Sequence, residues 1–221
     1  MKWILPLTHE EEITIATYEA IAPLWKEKHA DSKFWRRSFA EFQELLPEGH
    51  VIDIGCGCGK DASFFLGAGY DYTGIDASGA MLAEAAKAVP AERLSRMTFY
   101  DLEFPDETFD GFWASASFLH VPKNRIRHVL KEARRVTKPS GIGFISVKMK
   151  LSPRKQGLEN VPYHPYKPRF FAYYEQNEFA FLLTGNGFEV VRERQDWRLY
   201  NDRPESQTVF LCYLVRRDGA E

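Results

Sequence analysis

A short apolar run that ends abruptly in three closely spaced glycines is the feature that most restricts the fold of this chain. The run covers residues 51–54, and Gly55, Gly57 and Gly59 follow it at Gly-x-Gly-x-Gly spacing. A buried strand that turns through glycines into a helix lets the backbone approach a ligand at the helix N-terminus. The alternative is a tight turn that only packs the helix on the strand, and the loop alone does not separate the two.

Strand and helix patterns alternate along the chain after this loop. The patterns predict strands at 50–54, 71–75, 96–100, 109–115 and 141–147, and helices at about 60–68, 78–88, 124–137 and 174–184. Because parallel strands need long crossover connections, this alternation predicts a parallel sheet with helices on both faces. Residues 188–194 and 208–215 alternate with no helix between them, which predicts a closing antiparallel pair.

Two helices are expected before the sheet, and we predict that residues 1–48 form a helical cap on a single domain of residues 1–221. Thr8 and Glu11 have the spacing of a capping box, which marks the start of the first helix. Pro23 should kink or restart that helix, and a second helix fits residues 33–46.

Composition excludes several classes of protein. The 221 residues carry a net charge of −2, which gives no general reason to expect nucleic acid or an anionic membrane as a partner. The N-terminal segment is too short and too soon acidic for a signal peptide, and no apolar run approaches transmembrane length. Three cysteines make no plausible disulfide framework, so a reducing cytoplasm is the expected location.

The segment SPRKQGLENVPYHPYKPRFF interrupts the alternation. It carries four prolines and five aromatic rings, the imidazole included, and its prolines exclude a central strand or a helix interior. We predict an irregular, lid-like insertion at residues 151–172, in which Tyr163, Tyr166 and Phe170 form apolar walls and Arg169 holds an acidic substrate group. A proline-stiffened surface loop is the alternative.

Three carboxylates lie at the ends of three successive predicted strands. Asp53 precedes the glycines, Asp76 comes 23 residues later, and Asp101 follows after another 25 residues. A carboxylate at the end of the second strand is where both hydroxyls of a ribose are accepted, and Asp101 is placed to accept an exocyclic amine of a base. With Asp53 beside a cationic group, the three acids describe a nucleoside with a positively charged tail.

The sequence resembles the class I S-adenosylmethionine-dependent methyltransferases over nearly its whole length. The resemblance is carried by VIDIGCGCGK, YTGIDASGAMLAEAAK, YDLEFPDETFDGFWASASFLHVP, VLKEARRVTKPSGIGFISV and FFAYYEQNEFAFLLTGNGFEVV. It implies a Rossmann-like, doubly wound sheet of seven strands whose last strand is antiparallel. It also implies methyl transfer from S-adenosylmethionine by in-line displacement to a small-molecule acceptor.

The resemblance further implies a set of cofactor-binding residues. The loop around Gly55, Gly57 and Gly59, with Asp53 and Cys56, would wrap the methionine moiety. Other positions complete the expected site: Asp76 and Ala77 at the ribose, Asp101 and Leu102 at the adenine, Met81 on the adenine face, and Ala114 and Ser115 at the methionine end.

Catalysis by methyl transfer needs mainly alignment, and only a protic acceptor needs a base. His120, just past the fourth strand, is the leading candidate for that base, and His164 is a second one. A packed, hydrogen-bonded histidine is the alternative for His120. Tyr18 and Trp25 on the first helix would either cover the cofactor or pack in the core.

Other functions are compatible with parts of the sequence. Cys56 and Cys58 suit a tight turn better than a metal site, because no second pair of ligands has zinc-like spacing. The basic residues between 123 and 138 indicate either a solvated helix face or, for an RNA-modifying enzyme, a nucleic-acid footprint. A nicotinamide oxidoreductase is disfavoured by the glycine spacing and Asp53, whereas a cofactor-binding protein without catalysis is not excluded.

Overall fold

The computed structural model describes residues 5–29, 32–161, 164–200 and 203–219. The helices within these ranges are α1 His9–His29, α2 Arg36–Leu45, α3 Ala62–Gly67, α4 Gly79–Ala85, α5 Ile126–Val136 and α6 Gln176–Thr184. The strands are β1 His50–Ile54, β2 Asp71–Asp76, β3 Leu94–Arg96, β4 Phe109–Ser115, β5 Thr137–Met149, β6 Gln156–Val161, β7 His164–Tyr174, β8 Phe188–Tyr200 and β9 Arg203–Arg217. Short 3-10 helices cover Ser32–Trp35, Ala91–Arg93 and Phe118–His120.

The strands form one mostly parallel sheet. Strands β3, β2, β1, β4 and β5 are parallel neighbours in that order. Strand β9 runs antiparallel to β5, and β8 runs antiparallel to β9. These seven strands confirm the predicted doubly wound, Rossmann-like sheet with an antiparallel last strand, and β6 and β7 extend it to nine.

The third strand differs from its prediction. It covers Leu94–Arg96 instead of 96–100, because the chain leaves the sheet once Met97 has donated its N–H to the carbonyl of Asp76. The three residues that follow, 98–100, turn toward the carboxyl ends of the strands and line a cleft there. Because β3 ends early, residues 98–100 line the cleft instead of continuing the edge strand.

The proline-rich insertion also differs from its prediction, since it is a strand pair. Strands β6 and β7 are antiparallel, with Asn160 opposite Pro168, and β7 meets β5 only at Tyr173 and Tyr174. Prolines are tolerated in β7 because the other side of its N-terminal part faces α1 instead of a strand: Thr17 donates its hydroxyl to the carbonyl of Pro168. The expectation of an irregular loop was wrong for this reason.

The first helix begins as predicted and continues further than predicted. The Thr8 N–H donates to Glu11 Oε2 at 2.8 Å and the Glu11 N–H donates to Thr8 Oγ1 at 3.3 Å, which confirms the capping box. Pro23 lies inside an unbroken helix, because α1 is held on both sides by contacts with α4 and β7. No helix among the described residues is long and apolar enough to cross a membrane.

The core under the sheet is strongly aromatic and fixes the carboxyl end of β4. Trp113 is fully buried, stacks on Phe144 with ring centroids 4.1 Å apart, and donates its indole N–H to Asp61 at 3.1 Å. Phe39 and Phe42 of α2 pack edge-on against the same indole. This packing holds β4 rigidly, so the residues that follow it have a defined position.

Candidate active site

A cleft opens where β1, β2 and β4 end, and α1 crosses over it. Its floor comes from the glycine loop and the residues after β2 and β4, and its roof comes from one face of α1. The cleft is lined by Leu7, Glu11, Thr14, Ile15, Tyr18, Trp25, Gly55, Cys56, Gly57, Cys58, Lys60, Asp76, Ala77, Met81, Thr98, Phe99, Tyr100, Ser115, Ala116, Ser117 and His120. In open α/β sheets, ligands bind beyond these strand ends.

Glycine is favoured at each of the three loop positions, for a reason that differs from one position to the next. All have positive φ, +83° at Gly55, +55° at Gly57 and +73° at Gly59, a region that favours glycine. A Cβ on Gly55 would lie 2.5 Å from Ser117 Cβ, and one on Gly59 would lie 3.1 Å from Ala85 Cβ on α4. A Cβ on Gly57 would meet no atom within 4 Å. Gly57 is therefore the glycine whose open side faces the cleft.

Asp76 lies in the cleft and holds the glycine loop. Its Oδ2 accepts the Gly57 N–H at 2.9 Å and its Oδ1 accepts the Ser78 N–H at 2.8 Å. Burial raises the pKa of Asp76 to about 6. Each oxygen still has a lone pair for a further donor, so the carboxylate suits a pair of ligand hydroxyls.

Asp53 does not line the cleft. It is buried behind the loop, where Tyr72 donates its hydroxyl to Asp53 Oδ2 at 2.9 Å. Burial, with a smaller contribution from Asp61, raises the pKa of Asp53 well above its usual range. This position does not support the prediction that Asp53 is the counter-charge to a ligand ammonium.

Asp101 and Leu102 also lie outside the cleft lining. The Leu102 N–H donates to Glu132 at 3.0 Å, so it faces α5 instead of a ligand. Beyond the early end of β3, Thr98 and Phe99 line the cleft, and the adenine contact of Asp101 stays a prediction. Met81 and Ala77 lie where they were expected, on the opposite wall.

The last residue of β4 and the segment after it present two hydroxyls to the cleft. Ser115 and Ser117 line it, and among the described residues the buried Oγ of each has no hydrogen-bond partner. Between them Ala116 has φ +52°, held by its N–H to Ser146 Oγ at 2.8 Å. Ala114 is buried in β4 beneath them. Buried hydroxyls without partners usually indicate a ligand or water that supplies them.

The roof helix α1 is fastened on the α4 side by charged contacts. Glu19 accepts the N–H groups of Gly79 at 2.6 Å and Ala80 at 3.0 Å, which caps the N-terminus of α4. Lys26 donates to the carbonyl of Glu84 at 2.5 Å. A small apolar cluster of Ala22, Cys58 and Met81, with Tyr18 and Trp25 against it, seals the helix over the loop.

Most of the α1 face that lines the cleft was not predicted from the sequence. Glu11, Thr14, Ile15 and Tyr18 line the cleft at helical spacing, and Glu11 accepts the Tyr100 hydroxyl. A signal existed: a helical stripe that mixes polar residues with an aromatic ring is unusual for a face that only packs on a core.

His120 lies at the far end of the cleft with both ring nitrogens engaged. Its Nδ1 is 2.6 Å from the carbonyl of Phe170, which only accepts, so Nδ1 carries the proton. Its Nε2 is 2.9 Å from the Tyr18 hydroxyl and accepts from it. Burial, and then the charges of Arg169 and Lys148, lower the pKa of His120 to about 3. The position disfavours His120 as a general base, and the packed, hydrogen-bonded alternative fits it better.

The structure describes only some of the other residues that were predicted to contact the methyl acceptor. Arg169 donates to the Tyr18 hydroxyl at 2.7 Å, and Phe170 is buried with its N–H on Thr14 Oγ1 at 2.8 Å. Tyr163 lies outside the described residues, and the side chains of His164 and Tyr166 are not described.

Cys56 and Cys58 are buried free thiols of the loop, and both line the cleft. Burial raises the pKa of each thiol. In the ranges that the structure describes, no group of three His, Cys, Asp or Glu side chains has the geometry to hold a metal ion.

The basic residues of the α5 region form ion pairs within the chain. Their distances are 2.7 Å for Lys123–Glu178, 3.5 Å for Arg125–Glu11, 2.8 Å for Arg134–Asp218, 2.8 Å for Arg135–Glu132 and 2.7 Å for Lys138–Asp110. These pairs neutralise much of the positive charge that the sequence of this region indicates.

Several known proteins that resemble this chain are methyltransferases. Residues 51–141 match a family model described as a methyltransferase domain. A demethylmenaquinone methyltransferase of Symbiobacterium thermophilum is 32% identical over 120 residues, 48% of this chain and 45% of that protein. An uncharacterized methyltransferase of Bacillus subtilis, YodH, is 27% identical over 176 residues, 76% of this chain and 74% of that protein.

A solved structure supports the fold independently. A 1,6-didemethyltoxoflavin-N1-methyltransferase of Burkholderia thailandensis, solved with its substrate and S-adenosylhomocysteine, has a TM-score of 0.74 at 20% identity and covers 97% of this chain and 92% of its own. The alignments span less than half of the length of the first curated relatives. Residues 51–141 are thus similar to a methyltransferase domain, and the chain as a whole shares its fold with S-adenosylmethionine-dependent methyltransferases of known structure.

Proposed function

We propose that the protein is a methyltransferase that binds S-adenosylmethionine in the cleft and methylates a small-molecule acceptor. The observation that carries the proposal is the contact of Asp76 with Gly57, since one carboxylate both shapes the glycine loop and faces the cleft. A cytoplasmic location is part of the proposal and rests on the three free, buried cysteines.

The residues of the cleft fit this cofactor. Asp76 has lone pairs left for two ribose hydroxyls, and the open side of Gly57 gives room for close approach to the backbone. Phe99 and Met81 lie on the cleft wall and offer apolar contact to an adenine ring. We propose Thr98 and Phe99, in preference to Asp101 and Leu102, as the neighbours of the adenine edge.

The methionine end of the cofactor belongs beside the segment after β4. The hydroxyls of Ser115 and Ser117, which have no hydrogen-bond partner within the described part of the chain, offer donors and acceptors for an amino-acid group there. Lys60, directly after the loop, also lines the cleft and offers a positive charge for a carboxylate. Asp53 would act on this end only indirectly, through the loop that it supports.

S-adenosylmethionine supplies an electrophilic methyl group when bound. The task of the chain is then to align an acceptor and to exclude water. The roof helix α1 excludes water through the apolar cluster of Ala22, Cys58 and Met81. His120 contributes a fixed, neutral imidazole, and no step in the proposal requires it to take a proton.

Incubation with methyl-labelled S-adenosylmethionine and a metabolite extract tests this function. We expect label to enter a small molecule, and an Asp76→Ala variant to lose most of that transfer. Label found only in RNA would favour the nucleic-acid alternative. Cofactor binding with no transfer to any fraction would leave a cofactor-binding protein and contradict the proposed reaction.

A further inference from the structure

The residues proposed for the cofactor occupy only part of the cleft. The remaining part, which we call the acceptor half, is lined from α1 by Glu11, Thr14, Ile15 and Tyr18, with Leu7 just before the helix. Tyr100 and His120 also line the cleft and adjoin this face, because they form hydrogen bonds with Glu11 and Tyr18. A ligand that fills the acceptor half therefore contacts the roof helix, and the chemistry of this face sets which ligands fit.

Four side chains of the acceptor half carry one polar hydrogen each, and each hydrogen is donated within the protein. The acceptors are Glu11 for Tyr100, the Glu10 carbonyl at 2.8 Å for Thr14, His120 Nε2 at 2.9 Å for Tyr18, and the Phe170 carbonyl at 2.6 Å for His120. A hydroxyl or a neutral imidazole has no second hydrogen to give. Among the described side chains that line this half, none therefore has a donor left for a ligand.

The carboxylate of this half, on Glu11, is also provided for within the protein. Glu11 is buried, its Oε1 accepts the Tyr100 hydroxyl, and its Oε2 accepts the Thr8 N–H at 2.8 Å. Arg125 lies 3.5 Å from the same Oε2 and 5.7 Å from the centroid of the Tyr100 ring. Because the chain itself supplies the counter-charge, Glu11 does not need a cationic ligand.

Apolar surface is what the acceptor half offers to a ligand. Leu7 and Ile15 are half-buried and line the cleft, and the rings of Tyr18 and Tyr100 present carbon atoms once their hydroxyls are engaged. Aromatic walls of this kind suit a flat ring. An ionised group pressed against them would lose its water without gaining a partner, which costs far more than burying an uncharged group.

We propose that the acceptor half binds the methyl acceptor as a small, uncharged, largely apolar aromatic molecule. The polar atoms of that molecule belong at the end that meets the cofactor, beside Ser117, whose hydroxyl has no partner within the described part of the chain. The inference rests on the proposed function, because it takes the rest of the cleft to be filled by S-adenosylmethionine.

Nitrobenzene, benzoate and benzamidinium test the inference, since they share one planar shape and are uncharged, anionic and cationic at neutral pH. Their affinities are measured by ligand-observed NMR titration of protein saturated with S-adenosylhomocysteine, so that only the acceptor half is open to them. We expect nitrobenzene to bind at least about tenfold more tightly than either ion.

Two isoleucines of α1 give a matched pair of variants. Ile15→Ala removes apolar surface from the acceptor half and should weaken nitrobenzene binding about three- to tenfold. Ile13→Ala makes the same change two residues away, outside the cleft lining, and should leave the affinity within about twofold. Leu7→Ala takes the place of Ile15→Ala if that variant does not fold, with the same expected loss.

Several results would overturn the inference. Tighter binding of benzoate would show that Arg169 holds an acidic group, as predicted from the sequence, and tighter binding of benzamidinium would show that Glu11 sets the charge of the ligand. Equal binding of the three probes, binding of none, or nitrobenzene binding that Ile15→Ala and Leu7→Ala leave unchanged would also contradict it. Failure of the wild-type protein to bind S-adenosylhomocysteine would instead refute the proposed function.

Discussion

Asp76→Ala should weaken the binding of S-adenosylhomocysteine by about 1.5–3 kcal/mol, or roughly 10- to 150-fold. The variant removes the acceptor of two ribose hydroxyls and also the acceptor of the Gly57 and Ser78 N–H groups, so the loop loses its support. Titration calorimetry measures the change. Unchanged affinity would mean that Asp76 is only a turn residue.

The pH dependence of the same affinity gives an internal check. Burial raises the pKa of Asp76 to about 6, and only the ionised carboxylate accepts from both hydroxyls. Affinity should therefore be constant above this pKa and fall as the pH drops through it. Asp76→Asn keeps the shape but cannot ionise, so its weaker binding should not vary across the same range.

Gly55→Ala should be the most destabilising single-methyl change in the loop, by about 2–4 kcal/mol in the free energy of unfolding. The added Cβ would lie 2.5 Å from Ser117 Cβ, on a backbone with φ +83°. Strain of the backbone and overlap with a rigid neighbour both contribute, because the segment after β4 is fixed by the packing of Trp113. Urea denaturation measures the effect.

Two variants separate those contributions. Gly57→Ala has the same kind of backbone penalty, at φ +55°, but its Cβ meets no atom within 4 Å, so it should cost about 1 kcal/mol. Its methyl group faces the cleft, so it should reduce cofactor affinity more than stability. Ser117→Gly in the Gly55→Ala background should recover part of the lost stability, and no recovery would show that overlap is not the cause.

The part of the site built from local patterns was predictable from the sequence. A strand, a glycine turn and a helix follow one another within residues 50–67, and Asp76 ends the next strand, so βα geometry alone places them together. Ser115 follows from the same rule applied to β4. These residues needed only the correct order of elements.

The features that could not be predicted from the sequence depended on where an element ends or on which residues pack against it. The third strand was predicted at residues 96–100, but β3 ends at Arg96, and Thr98 lines the cleft beyond its end. His120 lines the cleft as predicted, but its neutral state follows from burial and from the charge of Arg169, which lies about 50 residues away along the chain. Spacing along the chain carries no information on such contacts.

The central claim is that this cleft binds a sulfonium nucleoside, and titration calorimetry of the purified chain with S-adenosylmethionine and S-adenosylhomocysteine tests it most directly. We expect both to bind at one site per chain, with no competition from NAD or NADP. Tight binding of a nicotinamide nucleotide without binding of either sulfur nucleoside would contradict the account.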